Sequence, residues 1–474
     1  MHDALNNSSG RSVLVLGFGL SGLSASRLLA REGARVTVVD TRDDDALRER
    51  AAAPSAQGVE VVLGCDGSAS GPAFPGEDGS FDFCILSPGV PADSPWARCM
   101  RRRGVPVVAE LELGAARCRC PVLAITGTNG KSTLVKLCAE TAGLAGRRAA
   151  VAGNCGIPLC DVAERSPGLD WAVVEVSSFQ LETVERFRPN VGVLLNVQPD
   201  HLDRHRDMAS YTAVKARLFA RMGDRTEEPR KGTCDTGIVN HDIIGEISAL
   251  SRGKCRWVSF GASPEADVRF AGGELRLGAD GPRQTAVSIR GTRFDNGVNG
   301  PTAAAAAAAA AACGWPAEAV GQAVRAYQPL PHRAVRIAEA GGVTFVDDSK
   351  ATNLAALSAA LEMADRPVRL LAGGRLKERD LAGPEEMLAR KARSVYLFGE
   401  ASETMREAWS GAVPCFCCGT LDRAAADAWR DAEPGESVLL APGCASFDQF
   451  GGFEERGECF IRIVEELIRE DEGS

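Results

Sequence analysis

The residues best equipped for chemistry stand together at Gly127-Thr128-Asn129-Gly130-Lys131-Ser132-Thr133. Glycines in this spacing let backbone N–H groups approach anionic oxygens. A lysine at Lys131 reaches β- and γ-phosphates, and the Ser132 or Thr133 hydroxyl ligates Mg2+. The elements that must position these groups are legible on either side. Pro121-Val122-Leu123-Ala124-Ile125 has the length and composition of a buried strand, and Leu134, Leu137 and Cys138 fall on one face of a following helix. Strand, turn and helix together aim a helix N-terminus at the anion. The general phosphate-loop pattern places a glycine five residues before Gly130, where this chain has Ile125. A tight turn that carries Lys131 and Ser132 by chance is the alternative reading.

A second glycine cluster lies near the start. Ser12-Val13-Leu14-Val15-Leu16 reads as a buried strand, Gly17-Phe18-Gly19-Leu20-Ser21-Gly22 opens a helix to about Arg31, and the strand Arg35–Val39 ends at Asp40. This is a Rossmann fingerprint in its βαβ setting, with its acidic residue. Taken alone it suggests NAD or FAD. What it fixes is a close backbone approach to a diphosphate, with Asp40, Thr41 and Arg42 placed to grip a nucleotide; a ligand-free strand–helix turn is the bland alternative. Phe81–Leu86 is a further strand, ending in Ser87-Pro88-Gly89 at the carboxyl edge where open α/β sheets bind ligands.

Polar clusters recur at strand ends downstream. Ala149–Gly153 ends in Asn154, Trp171–Val176 carries Glu175, and Val191–Leu195 leads to Asp200-His201-Leu202-Asp203-Arg204-His205 and a helix containing Lys215. Glu175 and His201 are the expected metal partners, the carboxylate being the more usual ligand for Mg2+. A strand-end cap and an unliganded loop histidine are the alternatives. Residues 225–297 read as β-rich, with Glu227–Gly232 an exposed loop, and Asn299-Gly300-Pro301-Thr302 begins a helix made almost wholly of alanine, a composition suited to close packing. After Pro329, Pro331, His332 and Arg333 a last α/β unit repeats the pattern, with Asp348, Ser349, Lys350, Thr352, Lys377 and Ser446 at strand ends. Loops rich in hydroxyl and cationic groups suit a small anionic substrate.

Bulk properties bound the function. A chain of 474 residues is too long for one core, and three domains are expected. The boundaries read as a disordered tail at 1–10, a first domain at 11–108, a central domain at 109–328 and a C-terminal domain at 329–474. The fold class is α/β, with Rossmann-like outer domains and a central, mostly parallel phosphate-loop domain. A net charge of −9 argues against nucleic acid as a main partner. No signal peptide and no membrane span is read. Sixteen scattered cysteines, among them Cys118 with Cys120 and Cys415 with Cys418, suggest reduced, mostly buried thiols in a cytoplasmic protein, since neither pair has the further ligands of a structural zinc site.

Taken together, the stretches resemble the Mur ligases, the ATP-dependent amino-acid-adding enzymes of peptidoglycan synthesis, from about Arg11 to Glu466. Gly127–Thr133 resembles that superfamily's own phosphate loop. Ser177-Ser178-Phe179-Gln180-Leu181-Glu182, Asp200–Arg204, Asp348-Ser349-Lys350-Ala351-Thr352-Asn353 and Cys444-Ala445-Ser446-Phe447-Asp448-Gln449-Phe450 resemble the members that add D-glutamate, and the Asp-Asn-Pro-Arg stretch of the diaminopimelate-adding members is absent.

The resemblance implies that the first domain holds the UDP part of UDP-N-acetylmuramoyl-L-alanine rather than NAD, through Leu20, Ser21, Asp40, Thr41, Arg42 and Ser87-Pro88-Gly89, with Asn154 nearer the sugar and alanyl end and His201 a further contact to this substrate. It implies ATP contacts at Gly127 to Thr133, Asn299, Arg333 and Asp348, and Mg2+ at Ser132, Glu175, His201 and Lys215. Lys215 would carry a carbamate, and Lys131, Glu175, His201 and Lys215 would be catalytic. D-glutamate would meet Thr352, Lys377, Ser446, Phe447 and Phe453. The implied reaction is amide formation through an acyl phosphate, by a monomer acting in the cytoplasm, with no nucleic acid and no membrane insertion. The rivals are a folylpolyglutamate synthase, which the N-terminal Rossmann unit disfavours; an NAD-dependent oxidoreductase or redox sensor, which leaves the phosphate loop unexplained; and a catalytically dead binding protein.

Overall fold

The computed structural model describes Leu5 and residues 7–65, 74–75, 81–223, 235–278 and 285–472, the side chains of Asp203 and Glu472 excepted. The strands form three sheets. The first contains β1 (Ser12–Leu16), β2 (Arg35–Val39), β3 (Glu60–Val62), β4 (Phe83–Leu86) and β5 (Val107–Ala109), in the order β3-β2-β1-β4-β5 and wholly parallel. In β1, Val13 and Val15 enter one apolar cluster while Leu14 and Leu16 enter another on the opposite face. Burial on both faces is why this strand reads as an unbroken apolar run rather than an alternating one.

The second sheet contains β6 (Val122–Thr126), β7 (Ala149–Gly153), β8 (Trp171–Glu175), β9 (Val191–Leu194), β10 (Thr236–Asn240), β11 (Arg256–Gly261), β12 (Val268–Ala271), β13 (Glu274–Leu277) and β14 (Thr285–Ser288). Their order is β14-β13-β12-β11-β10-β9-β6-β8-β7, parallel except at β12–β13 and β13–β14. The phosphate-loop strand β6 therefore lies between β9 and β8, and all three deliver polar residues to one edge. The alanine helix Gly300–Ala312 packs on β11, β12 and the helix Lys131–Leu144. A Cβ at Gly300 would overlap the Phe270 ring, so the small side chains here serve close approach.

The third sheet contains β15 (Val335–Ala340), β16 (Val343–Asp347), β17 (Val368–Gly373), β18 (Ala392–Phe398), β19 (Cys415–Gly419) and β20 (Ser437–Leu440), in the order β15-β16-β20-β17-β18-β19, parallel except at β15–β16. By compactness the chain falls into two units. One is Met1–Asn196 with Thr212–Asp295 and Gly300–Arg325, holding the first two sheets. The other is Val197–Tyr211 with Asn296–Asn299 and Ala326–Ser474, holding the third.

The reading of residues 1–10 as a disordered tail fails where the segment is described. Leu5 is buried in the core of the first sheet, Ser8 is buried, and Arg117 donates to the Leu5 carbonyl and to Ser8 Oγ (2.9 Å). Glu32 neutralises that guanidinium through bonds of 2.5 and 2.8 Å. The polar composition of the segment concealed its single anchoring leucine. The expected loop Glu227–Gly232 lies outside the described residues. Among the described residues no helix is long and apolar enough to cross a membrane.

Candidate functional site

In the first unit the carboxyl ends of β1, β2, β4 and β7 open onto a cavity of about 470 Å³. Leu20, Ser21, Asp40, Thr41, Arg42, Ser87, Pro88, Gly89 and Asn154 all line it, together with Gly17, Gly19, Gly153 and Gly156. These are the residues expected at a UDP-substrate site, His201 excepted, which belongs to the second unit. The glycines have separate tasks. Gly17 takes φ +88°, and a Cβ at Gly22 would overlap the Gly17 carbonyl, so only glycine lets the helix Leu20–Arg31 start this close to β1. Asp40 is buried, and its oxygens accept the N–H groups of Phe18 (2.8 Å) and Arg42 (2.9 Å). It holds the glycine loop and the Thr41-Arg42 turn in shape as well as facing the cavity.

The phosphate loop is equally well defined. Gly130 sits in the left-handed region at φ +82° and caps the helix Lys131–Leu144. Asn196, at the end of the neighbouring strand, accepts the N–H groups of Thr128 (3.0 Å) and Asn129 (2.9 Å) through Oδ1 and donates to the Asn129 carbonyl. Lys131 Nζ donates to the carbonyls of Gly127 (2.9 Å) and Thr128 (2.8 Å). Lys215, almost wholly buried at 1% exposure, donates to the same Gly127 carbonyl at 2.8 Å. Two ammonium groups thus share one carbonyl beside the loop.

Glu175 lies at the end of β8, in register with Ile125 of β6 on one side and Gly153 of β7 on the other. It is 2% exposed; Oε1 accepts the Asn154 amide at 2.9 Å, while Oε2 is buried with no hydrogen-bond partner among the described residues. Thr126 Oγ1, next to the phosphate loop, is buried and unpartnered in the same way. A buried polar oxygen without a partner costs about 1–3 kcal/mol. Among the described residues no three histidine, cysteine or carboxylate side chains gather for a metal.

The second unit brings together most of the remaining expected residues. Lys377 Nζ lies 3.3 Å from Thr352 Oγ1 and 3.4 Å from Asp200 Oδ1, and Asn353 donates to Asp200 Oδ2 at 3.1 Å. His201, in the left-handed region at φ +53°, follows that aspartate. Arg375 pairs with Ala445, which draws the loop before Lys377 to the segment holding Ser446 and Phe447. Ser446 is buried and Phe447 is 65% exposed. Lys350 Nζ stands 3.6 Å from the centre of the Phe453 ring. Asp348 Oδ1 accepts the Ala334 N–H at 3.1 Å, which fixes the segment around Arg333. Asn299 donates to Met363 Sδ at 3.1 Å.

Sequence reasoning missed the residues that organise this unit. Arg456 is fully buried and donates to Ser349 Oγ (3.0 Å), the Ser349 carbonyl (2.8 Å) and the Cys444 carbonyl (3.2 Å), pinning two strand-end loops to the last helix. Burial pushes its guanidinium down to about 10. His332 Nδ1 lies 2.6 Å from Asp347 Oδ2, with His332 at φ +58° and Gly457 against its ring. Asp200 was passed over for its neighbour His201. The only sequence signal for Arg456 was a cation followed by glycine early in an amphipathic helix, and that signal is weak.

The family model described as Mur ligase MurD-like, N-terminal domain, matches residues 11–109, the Mur ligase middle domain matches 125–314, and the Mur ligase, glutamate ligase domain matches 332–444. The UDP-N-acetylmuramoylalanine--D-glutamate ligase of Acidobacterium capsulatum is 38% identical over 459 residues, covering 96% of each chain. That of Myxococcus xanthus is 38% identical over 474 residues, covering 97% of this chain and 99% of the relative. Among solved structures, UDP-N-acetylmuramate-alanine ligase MurC from Thermotoga maritima matches 96% of this chain and 99% of its own with a TM-score of 0.58 at 15% identity. E. coli FolC, at a TM-score of 0.53 and 18% identity, covers 76% of this chain and 93% of its own. At these identities the structures speak for the fold alone. With family models along most of its length and relatives above 30% identity end to end, the chain belongs to the Mur ligase family.

Proposed function

We propose that the protein is an ATP-dependent, ADP-forming ligase that adds D-glutamate to UDP-N-acetylmuramoyl-L-alanine in the cytoplasm, as a monomer of three domains bounded at 11–108, 109–328 and 329–474. The observation that carries this reading is the link made by Asn154. Its backbone lies in the loop lining the nucleotide cavity, and its amide holds Glu175 beside the phosphate-loop strand. A substrate with its uridine diphosphate in the cavity and its alanyl carboxylate toward Asn154 would run to where the γ-phosphate of ATP arrives. The names of the full-length relatives support the choice of substrates.

In this mechanism the alanyl carboxylate attacks the γ-phosphorus, giving an acyl phosphate and ADP. The D-glutamate amine then attacks the activated carbonyl and phosphate leaves. Two anions must meet in the first step, so the site has to neutralise charge. Lys131 supplies a cation at the phosphate loop, and the backbone N–H groups at the helix N-terminus supply fixed dipoles. Glu175 through the oxygen that has no partner among the described residues, Ser132 and a carbamylated Lys215 would hold Mg2+, which when bound offsets phosphate charge. A carbamate on Lys215 would also remove one of the two ammonium groups crowding the Gly127 carbonyl. In the second unit Lys377, Thr352, Ser446, Phe447 and Phe453 would receive D-glutamate, with Lys377 meeting a carboxylate of the incoming amino acid. Phosphate release from ATP tests the reading. It should require both UDP-N-acetylmuramoyl-L-alanine and D-glutamate, and should fail with L-glutamate, lysine or diaminopimelate. No release with any amino acid, from protein that still binds ATP, would overturn it.

A further inference from the structure

Two thiols that the ligase chemistry does not use face each other on the segment between the first and second sheets. Cys118 Sγ and Cys120 Sγ are 3.5 Å apart, both residues are buried, at 5% and 2% exposure, and Cys118 Sγ also points to the Cys120 carbonyl at 3.6 Å. Their backbone is held from both sides. Cys118 closes the helix Glu110–Arg117 with its N–H on the carbonyls of Gly114 (2.9 Å) and Ala115 (3.3 Å), and then turns to extended geometry. Arg119, between the two, donates its N–H to Ser166 Oγ at 2.8 Å, and Ser166 is itself buried and bonded to the Ala163 carbonyl at 2.6 Å. Pro121 follows Cys120 with a fixed φ. The segment therefore spends little further conformational freedom in bringing the sulfurs together. Cys415 and Cys418, the other pair prominent in the sequence, differ: Cys415 turns to the Val413 carbonyl and Cys418 to the Phe416 carbonyl.

We infer that Cys118 and Cys120 form a reversible dithiol–disulfide site, oxidised by peroxide and restored by thiols. The first thiol loses its proton and its sulfur attacks one peroxide oxygen, so that the O–O bond breaks, water leaves and a sulfenic acid forms. The second sulfur then displaces the sulfenic hydroxyl as water and forms the S–S bond. In balance, two thiols and one hydrogen peroxide give one disulfide and two waters, and the two electrons lost by the sulfurs reduce the peroxide. A small oxidant matches the low exposure of the pair. The sulfurs have to close from 3.5 Å to the roughly 2.0 Å of a disulfide, a shift available to side-chain rotation. Because the resolving thiol is already in contact, the sulfenic acid is captured before it reaches the irreversible sulfinic state. The ring spans a single intervening residue, so it adds almost no constraint on the unfolded chain, and the bond acts as a chemical buffer rather than a structural brace.

The test uses the full-length folded protein, treated with limiting hydrogen peroxide, quenched, alkylated in denaturant and cut with trypsin. Cleavage after Arg117 and Arg119 separates the two cysteines, so a disulfide is read directly as the Cys118-Arg119 dipeptide linked to the peptide that begins at Cys120. The linked species should appear early and vanish with dithiothreitol. Cys155, which is exposed, serves as the comparison thiol in the same digest. In Cys118→Ser, Cys120 should pass on to sulfinic acid, and Cys120→Ser should do the same at Cys118. Oxidation of Cys155 with both Cys118 and Cys120 still fully alkylatable would overturn the proposal. So would single-cysteine variants that show no more sulfinic acid than the wild type. Since the linked peptide is measured in unsubstituted protein, a variant that fails to fold does not decide the outcome.

Discussion

Glu110 offers a stability test whose sign and size follow from the structure. It begins the helix Glu110–Arg117, is 1% exposed, and accepts the Cys160 N–H at 2.8 Å through Oε1, while Oε2 is buried without a partner among the described residues. Burial raises its pKa from 4.5 to about 7; the bonds from Cys160 and Leu159 oppose the rise, and the charge of Asp161 adds to it. A carboxyl group whose folded pKa lies above its unfolded value keeps a proton that the unfolded chain releases. Its contribution is therefore fully present below pH 4.5 and is lost as pH rises through about 7. At about 1.4 kcal/mol per pH unit, that window removes about 3 kcal/mol. Glu110→Gln keeps an acceptor for Cys160 and cannot ionise. Urea unfolding of both proteins from pH 5 to 9 should give similar stabilities at the acid end and an advantage for the glutamine variant that grows to about 3 kcal/mol by pH 8 to 9. Asp161→Asn in the wild-type background should reduce the slope. A constant offset between the two curves, whatever its size, would refute the reasoning, because it would mean that Glu110 holds the same charge in both states throughout.

Glu175→Gln keeps an acceptor for the Asn154 amide and should abolish ATP-driven turnover with little change in the melting temperature; turnover at the wild-type rate would count against a functional role for Oε2. Lys131→Ala should lose turnover and keep binding of the UDP substrate by calorimetry, and equal loss of both would point to misfolding instead. Gly457→Ala should destabilise the second unit by about 1–3 kcal/mol, since its Cβ would overlap the His332 ring, with wild-type melting as the contrary result. Asp200→Asn should lower the KM for D-glutamate by roughly tenfold, the worth of one charge-assisted bond to Lys377, while leaving the KM for the UDP substrate in place; an unchanged KM for D-glutamate would show that Asp200 does not compete for that lysine.

The strands around the phosphate loop were legible because each is buried on both faces and ends abruptly in polar residues. Ile125 and Val174 are wholly buried, and Thr126 and Glu175 stand at the break. The edge strands of the third sheet were not. β15 runs through Arg336 and Glu339 with half-exposed positions, and β19 is Cys-Phe-Cys-Cys-Gly, so neither presents the continuous apolar run that marks a central strand. The same difference separates the site residues. Leu20, Ser21, Asp40, Ser87 and Asn154 belong to turns whose chemistry is local, and their convergence on one cavity follows from parallel topology alone. Arg456, Asp200 and His332 act through partners more than a hundred residues away or on another loop, and spacing carries no trace of that.

The polar atoms of the first unit divide by the same logic. Asp40 was expected to serve a ligand, yet its oxygens already hold Phe18 and Arg42, so a substitution there would disturb the loop before it disturbed any contact with a nucleotide. Glu175 was expected at a strand end, where a cap is the ordinary role, and one oxygen does cap Asn154. Its other oxygen is the informative one. Among the described residues Glu175 Oε2 and Thr126 Oγ1 are buried without a partner, where β6 and β8 meet the phosphate loop. Glu110 Oε2, His241 Nδ1 and Trp315 Nε1 are buried in the same way elsewhere, so a missing partner does not by itself mark a ligand site; what sets Glu175 and Thr126 apart is their place at the ends of the strands that meet the phosphate loop. One oxygen of Glu175 serves the fold through Asn154, and a glutamine in its place keeps that bond, so loss of turnover in a variant that melts like the wild type separates a functional carboxylate from a structural one.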